Sequence, residues 1–185
     1  MATMNPESRV AVALVHYPVR NRKGETSATA ITSMDVHDFC RTCAFYDVGP
    51  VYFVHPSAGM HAMVKDITDY WLEGEGGARN PGRKEVLRQL RMVENLGEAI
   101  EGFGGSVWYT SAKPPAEHLQ PASGLLQIEG RHLIVFGTGW GLDELHLPTP
   151  SGWLSPIEGT GMVRHLSVRA ALAIYLDRLG TSLRC

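Results

Sequence analysis

The sequence predicts an α/β fold: a single domain, residues 1–185, with a mostly parallel sheet and helices on both faces. Short, uninterrupted apolar runs such as Val10–Val15 are typical of strands that are buried on both faces. Segments with apolar residues at helical spacing lie between these runs, and that alternation favours a parallel sheet. The chain is 44% hydrophobic and 19% charged, which is a composition that supports one globular core.

The first part of the chain sets up this alternation. A polar loop follows the first strand from Pro18 to about residue 32. A helix is expected next, with Asp35 as its N-cap and Asp38 three positions on, where carboxylates satisfy free backbone N–H groups. A second strand is expected at residues 51–54, after a break at Gly49-Pro50. The buried stripe of the helix is predicted to be Val36, Phe39, Cys40 and Cys43.

The remaining elements are predicted in order from the same signals. A helix at residues 60–72 is followed by a glycine-rich loop at residues 73–82, which we expect to be mobile or ligand-responsive. A long helix is predicted at residues 83–103, because its apolar residues fall on one face and Gly104-Gly105 closes it. The last predicted elements are a strand at 106–110, a proline-containing connection at 113–130 with a short helix near Leu119, a strand at 133–136 and, with no further strand, a helix at 167–179.

Several functional classes are disfavoured by composition. No apolar run approaches the roughly 20 residues that span a membrane, and the N-terminus lacks a signal pattern, so we expect a cytoplasmic protein. The three cysteines do not indicate a disulfide framework. Cys40 and Cys43 form a C-x-x-C, but both lie within the helical stripe, which favours a core pair over a redox or metal site. No metal is expected.

Basic residues give only local signals for a nucleic-acid partner. The net charge of −2 provides no global attraction, so RNA binding would require a basic patch. The loop with Arg20, Arg22 and Lys23 is one candidate. A second cluster is another candidate, but a solvated helix face is the favoured reading of it. It consists of Arg79, Arg83, Lys84, Arg88 and Arg91.

Two glycine-bearing loops near the C-terminus predict a pocket built from main chain. Residues 137–141 read Gly-Thr-Gly-Trp-Gly, and residues 154–159 form a second loop. Such a pocket suits a flat, nucleoside-like ligand, and a Cβ at Gly139 would be expected to occupy ligand space. A dinucleotide fingerprint is disfavoured because it opens the first βαβ unit of a fold, whereas these glycines come late. A Rossmann-type nucleotide-binding oxidoreductase nevertheless stays an alternative.

Four segments together resemble the SPOUT class of S-adenosylmethionine-dependent RNA methyltransferases. They are residues 110–112, 136–142, 156–159 and 165–171. Residues 14–19 and 28–32, with Asn80-Pro81 and Arg83-Lys84, resemble a small bacterial branch of that class. The resemblance implies a C-terminal trefoil knot, a homodimer, an RNA substrate and S-adenosylmethionine held mainly by main-chain groups. A catalytically inactive cofactor-binding or scaffold protein is the other alternative.

The resemblance assigns the cofactor contacts to three loops. The first loop contributes Thr110, Ser111 and Ala112. The second contributes Gly137, Thr138, Gly139, Trp140, Gly141 and Leu142. The third contributes Leu154, Pro156, Ile157, Gly159, His165, Leu166 and Ser167.

The first helix carries the residues expected to act on the substrate. Many family members have Asn-x-Gly-x-x-x-Arg there; this chain has Asp35, His37 and Arg41 at those positions, so the Arg matches and the other two do not. This departure disfavours ribose methylation and leaves a base nitrogen open. Asp35, Asp38 and His165 are candidate general bases, with helix caps and a packed loop histidine as alternative readings. The implied RNA contacts are Arg20, Arg22, Lys23, Arg41 and Arg79.

The predicted final helix offers one candidate surface for the dimer. Its apolar face could form the interface between subunits or could equally belong to the core. That face consists of Leu172, Tyr175, Leu176 and Leu179.

Overall fold

The computed structural model describes residues 8–115 and 119–181. Its first strands are β1 (Val10–Val15), β2 (Val19–Arg20), β3 (Thr26–Ser27), β4 (Val51–Val54) and β5 (Leu90–Val93). The later strands are β6 (Ser106–Tyr109), β7 (Leu119–Gln120), β8 (His132–Gly137) and β9 (Gly152–Leu154). The α-helices are α1 (Ser33–Phe45), α2 (Ala58–Leu72), α3 (Glu75–Arg79), α4 (Pro81–Leu87), α5 (Leu96–Phe103) and α6 (Val168–Thr181). Two 3₁₀ helices span Ala122–Gln127 and Glu144–His146.

Seven strands form one sheet in the order β5-β4-β1-β8-β6-β9-β7, and every pair in it is parallel. β2 and β3 form a separate antiparallel hairpin. The side chains of β1 alternate between two buried clusters. Val12 and Leu14 join the cluster that α1, α2, α4 and α6 cover. Ala11 and Val15 join the cluster that α5 covers. The predicted α/β fold, with a parallel sheet and helices on both faces, is therefore confirmed.

The prediction of one long helix at residues 83–103 is wrong. The chain instead forms α4, then β5, which pairs with β4, and then α5. Between α4 and β5, the buried side chain of Gln89 donates to the carbonyl of Cys40 at 2.6 Å. Asn95 caps α5 by accepting from the backbone N–H of Glu98 at 3.1 Å. A segment whose apolar residues have helical spacing thus contains a strand, because pairing with the sheet overrides local periodicity.

The glycine-rich loop predicted at residues 73–82 is also wrong, because α3 and the start of α4 lie within it. Gly76 and Gly77 are buried against the end of α2. A Cβ on Gly76 would lie 2.5 Å from the Tyr70 ring, and one on Gly77 would lie 2.2 Å from the carbonyl oxygen of Trp71. These glycines therefore permit close packing of α3 on α2.

The start of α1 differs from the prediction. Its N-cap is Thr32, and Asp35 occupies the third helical position of a capping box. Asp38 lies a turn further on, with its side chain half exposed. The predicted stripe is confirmed, since all four of its residues are buried.

The C-terminal third contains strands that the sequence analysis missed. β9 follows the glycine loop, although no further strand was expected there, and it inserts between β6 and β7. Leu119 lies in β7, and the short helix predicted near it begins at Ala122. The face of α6 offered as a dimer interface is core, because its four leucine and tyrosine residues are at most 4% exposed. The trefoil knot stays a prediction.

None of the helices in residues 8–115 and 119–181 is long and apolar enough to span a bilayer.

Candidate functional site

Three loops leave the carboxyl ends of three neighbouring strands. β8, β6 and β9 lie side by side in the sheet and run parallel. The loops that follow them begin at Thr138, Thr110 and Ser155. In open α/β sheets, ligands bind at this edge. The topology therefore brings together the three segments expected to hold a cofactor.

The loop after β6 is anchored by Thr110. Its backbone N–H and its hydroxyl both donate to the carbonyl of Val135, at 3.1 and 2.9 Å. The next two residues turn away from the sheet, and the hydroxyl of Ser111 accepts from the backbone of Lys113 at 3.0 Å. Within the described part of the chain, the N–H groups of Ser111 and Ala112 donate to no other backbone group. They are available to a ligand.

The loop after β8 is fixed by a chain of hydroxyl contacts. Thr138 donates to the carbonyl of Val15 through its hydroxyl, at 3.0 Å, and its oxygen lies 2.5 Å from the hydroxyl oxygen of Thr29. Thr29 in turn contacts Nδ1 of His16 at 3.0 Å. Burial lowers the pKa of His16 to about 4, against the opposing field of Asp35, so the imidazole is neutral at neutral pH.

The glycines of this loop permit close backbone approach. A Cβ on Gly137 would lie 2.8 Å from the backbone nitrogen of Leu142, so the loop could not fold back on itself. Gly139 has φ of +59°, and a Cβ there would lie 3.0 Å from the carbonyl oxygen of Arg20. The protein atoms nearest to Gly139 thus belong to the β2–β3 hairpin and its end, and the expectation that a Cβ there would also occupy ligand space stays a prediction. Trp140 is 66% exposed.

The β2–β3 hairpin is bound to the glycine loop along its length. Arg20 donates to the carbonyl of Gly141 and accepts from the N–H of Trp140, both at 2.9 Å. The side chain of Asp143 accepts from the hydroxyl of Thr26 at 2.5 Å and contacts Nδ1 of His146 at 2.9 Å. Burial alone would raise the pKa of Asp143. These two hydrogen bonds and the nearby Arg20 outweigh it and lower that pKa.

The basic residues predicted to contact RNA in this hairpin differ in their surroundings. Nε of Arg20 lies 3.7 Å from Oδ1 of Asp143, so Arg20 has an intramolecular partner. Arg22 and Lys23 are exposed in the turn. Outside the hairpin, Arg79 is also exposed and pairs with Glu75 at 2.8 Å, an ion pair of the kind that contributes little to stability.

The third loop is the most open of the three. It begins where Ser155 donates to the carbonyl of Gln120 at 2.9 Å. Among the described residues, no backbone N–H from 157 to 167 donates to another backbone group. Apolar side chains are exposed here, Met162 fully and Val163 at 70%, and His165 is exposed as well. A ligand held mainly by main-chain groups fits such a loop, because these backbone N–H groups have no backbone acceptor among the described residues.

The candidate bases on α1 are held by the start of α6. Asp35 accepts from the backbone and hydroxyl of Thr32, at 3.0 and 2.6 Å, and from Arg169 at 2.8 Å. Nε of Arg169 also lies 3.5 Å from Asp38. Arg41, one turn further along α1, is exposed and lines a cavity with His37 and Arg83.

Cys40 and Cys43 are buried, free thiols. Burial raises the pKa of Cys40 to about 12, so its thiol is neutral and unreactive. Residues 8–115 and 119–181 contain no group of three or more histidine, cysteine or acidic side chains that could hold a metal.

Several residues of this region escaped the sequence analysis. Thr29, Asp143 and Arg169 connect the loops to the hairpin and to α1. These contacts join residues more than 100 positions apart, so the sequence could not show them, although Thr29 and Arg169 lie in segments that carry the family resemblance. His16 follows directly on β1, and its place at the end of a strand was the one available signal.

Comparison with known proteins identifies the family. Residues 9–181 match the family model described as SAM-dependent RNA methyltransferase. The chain belongs to this family. S-adenosylmethionine is therefore its cofactor, and the chain is an RNA methyltransferase enzyme by descent.

Relatives of this methyltransferase include proteins of different length. An uncharacterized protein from Aquifex aeolicus (strain VF5) is 35% identical over 95% of this chain and 90% of its own. A tRNA (guanine-N(1)-)-methyltransferase from Nitratidesulfovibrio vulgaris is 37% identical over 94% of this chain. The match spans only 42% of that second protein.

A solved structure agrees on the fold. The TrmH/SpoU tRNA modifying enzyme of A. aeolicus superposes with a TM-score of 0.59 at 15% identity, covering 96% of this chain and 77% of that one. The fold of this methyltransferase is thus the SPOUT fold, as the sequence resemblance implied.

Proposed function

We propose that this methyltransferase binds S-adenosylmethionine at the three loops after β6, β8 and β9 and transfers its methyl group to a base nitrogen of RNA. The observation that carries the proposal is the convergence of these loops at one edge of the sheet, on three adjacent strands. Their free main-chain groups suit a cofactor held by backbone contacts.

The chain's own residues supply binding and orientation. Bound S-adenosylmethionine would provide an electrophilic methyl group, so the protein need not activate the donor. Ser111, Ala112 and the N–H groups of residues 157–167 are available as donors. Thr138 and Gly137 shape the loop between them. The protein thereby fixes donor and acceptor in line, which is its main contribution to rate.

The acceptor's proton must also be removed. A ring nitrogen that carries a hydrogen becomes a good nucleophile only as that hydrogen leaves, so a nearby general base accelerates transfer. We assign this role to Asp38 or His165, since both are exposed. Asp35 is buried and already accepts three hydrogen bonds, so we assign it a supporting role. Arg41 is proposed to orient the RNA.

We propose tRNA as the substrate, with rRNA as the alternative. The relative from N. vulgaris, of which this chain spans less than half, is named for methylation of guanine N1 in tRNA. That name supports a ring nitrogen as acceptor, and so does the absence of the Asn-x-Gly pair from α1. We further propose a knotted single domain that works as a cytoplasmic homodimer. The exposed Met162 and Val163 are available for subunit contact.

The direct test is methyl transfer from isotope-labelled S-adenosylmethionine to tRNA and rRNA from cells that lack the protein. Digestion to nucleosides and mass spectrometry would identify the methylated base. Labelled base would support the proposal. Cofactor binding without any transfer would favour an inactive scaffold, and affinity for NAD in place of S-adenosylmethionine would favour an oxidoreductase.

A further inference from the structure

A cavity of about 240 Å³ lies between α1 and α4, away from the three loops. Its walls combine the middle of α1 with the Asn80 turn and the first turns of α4. The lining residues are His37, Arg41, Asn80, Gly82, Arg83 and Val86. We refer to it below as the His37–Arg41–Arg83 pocket.

Two guanidinium groups line this pocket without an anionic partner. Neither Arg41 nor Arg83 forms an ion pair with any side chain in residues 8–115 or 119–181. One acidic side chain on each of the two helices, α1 and α4, has another partner. Asp38 lies 3.5 Å from Arg169, and Glu85 pairs with Arg88 at 2.8 Å. Two like charges that share a concave site repel each other, and an anion bound between them would offset that repulsion.

Arg83 is held in place for such an anion. Its guanidinium carbon lies 4.5 Å from the centre of the Trp71 ring, which fixes the plane of the group. Its backbone N–H donates to the side chain of Asn80 at 3.1 Å. Its Nε is buried and has no hydrogen-bond partner among the described residues. A buried donor without an acceptor is costly, and a bound oxyanion would supply that acceptor.

His37 contributes an uncharged imidazole to the pocket. Its ring packs perpendicular to that of Trp71 in a T-shaped arrangement, with the ring centres 5.8 Å apart. Burial, and then the charges of Arg83 and Arg41, lower the pKa of His37, so the imidazole is neutral at neutral pH. It can donate one hydrogen bond to an oxyanion through its N–H.

We propose that the His37–Arg41–Arg83 pocket binds a phosphate of the RNA backbone. A phosphodiester presents two free oxygens, and the planar fork of arginine matches them. This assignment rests on the proposed function, since RNA is taken as the substrate. Phosphate contacts fix the register of a nucleic acid and read no sequence. Arg83 is thus a positioning residue, which holds the RNA while the loops carry out transfer.

The test compares Arg83→Gln with Arg88→Gln in the full chain. Arg88 lies at the end of the same helix, but it is exposed and paired with Glu85. Affinity for labelled bulk tRNA would be measured at several salt concentrations. Arg83→Gln should weaken binding about 10-fold and reduce the slope of log K against log salt by about one. Arg88→Gln should change affinity less than about 2-fold.

Three further measurements make the result specific. Arg83→Lys keeps the charge but loses the fork, so it should fall between the wild type and Arg83→Gln. Affinity for S-adenosylmethionine should be the same in all variants, which also reports that they are folded. Removing the terminal phosphate of the tRNA should change nothing, because an internal phosphodiester is expected to bind.

The possible outcomes test the pocket assignment and the proposed function separately. If the wild type methylates tRNA but Arg83→Gln binds it as tightly as Arg88→Gln does, the pocket assignment is overturned and the proposed function stands. If poly-glutamate competes with the same dependence on Arg83, the pocket is a site for acidic protein and the RNA assignment fails. If the wild type neither binds nor methylates tRNA or rRNA, the proposed function fails first.

Discussion

Arg169, at the start of α6, donates to the carboxylate of Asp35, in the first turn of α1, at 2.8 Å. The same carboxylate closes the capping box of α1 through Thr32. The third loop ends directly before α6, so this contact fixes the loop's end against the helix that carries Arg41. The contact thus links the proposed cofactor loop to the proposed RNA-binding helix.

Asp35→Ala should lower the free energy of unfolding by about 1–3 kcal/mol, because it removes the capping interaction and leaves Arg169 without its closest partner. Asp38→Ala is the matched control. Its contact with Arg169 is longer, at 3.5 Å, and half exposed, so we expect a loss below about 1 kcal/mol. Urea denaturation of both variants measures this. Equal losses would contradict the role given to Asp35.

Gly137→Ala should weaken binding of S-adenosylmethionine by at least about 10-fold. The added Cβ would lie 2.8 Å from the backbone nitrogen of Leu142, so the glycine loop must shift. Gly59→Ala, in α2, is the control, because its Cβ meets only an ordinary contact at 3.6 Å. Calorimetric titration gives both affinities. A Gly137→Ala protein with normal affinity would show that this loop does not shape the site.

Stability should fall as the pH drops from about 6.5 to about 4. His16 stays neutral in the folded state down to a pKa of about 4, whereas in the unfolded chain it gains a proton near 6.5. Protons therefore favour unfolding in this window, by up to about 1.4 kcal/mol per pH unit for this one group. The contribution of His16 to the unfolding free energy is fully present above the pKa that this histidine has in the unfolded chain.

His16→Asn removes this titrating imidazole and should flatten the pH dependence of the unfolding free energy. Unfolding free energies at pH 7, 6, 5 and 4 give the comparison. An identical slope in the wild type and His16→Asn would place the titrating group elsewhere. The other histidines with lowered pKa are common to both proteins and cancel in the difference.

Arg41→Ala should preserve affinity for S-adenosylmethionine and reduce methylation of RNA, because Arg41 lies on α1 and outside the three loops. Calorimetry with the cofactor and a methyl-transfer assay at low RNA concentration separate the two effects. Normal turnover at limiting RNA would remove Arg41 from the reaction.

The sequence was most informative where residues act locally. The apolar run of β1 and the stripe of α1 each reflect burial of neighbours in sequence, so both were predicted correctly. The break of residues 83–103 into α4, β5 and α5 was missed because pairing with β4 decides it. β9 was missed because three residues carry no periodicity and its partners lie in β6 and β7.

The candidate site could likewise be predicted from the sequence only in part. Residues at strand ends placed the loops after β6 and β8, whereas the third loop, which follows the missed strand β9, was indicated only by its own residues and by the family resemblance. The reason for each glycine was not visible, since the atoms near Gly139 belong to Arg20 in a distant hairpin. The pocket around Arg83 required the structure as well, because Trp71 and Arg41 approach it from other helices.

Methyl transfer to RNA at the three loops can be measured in a single assay. Wild type and Gly137→Ala proteins would be incubated with labelled S-adenosylmethionine and RNA from cells lacking the protein, and the RNA would be digested to nucleosides. We predict one methylated base with the wild type and at least about 10-fold less with Gly137→Ala. Tight binding of S-adenosylmethionine by the wild type, with no label in any nucleoside, would show that the protein does not methylate this RNA.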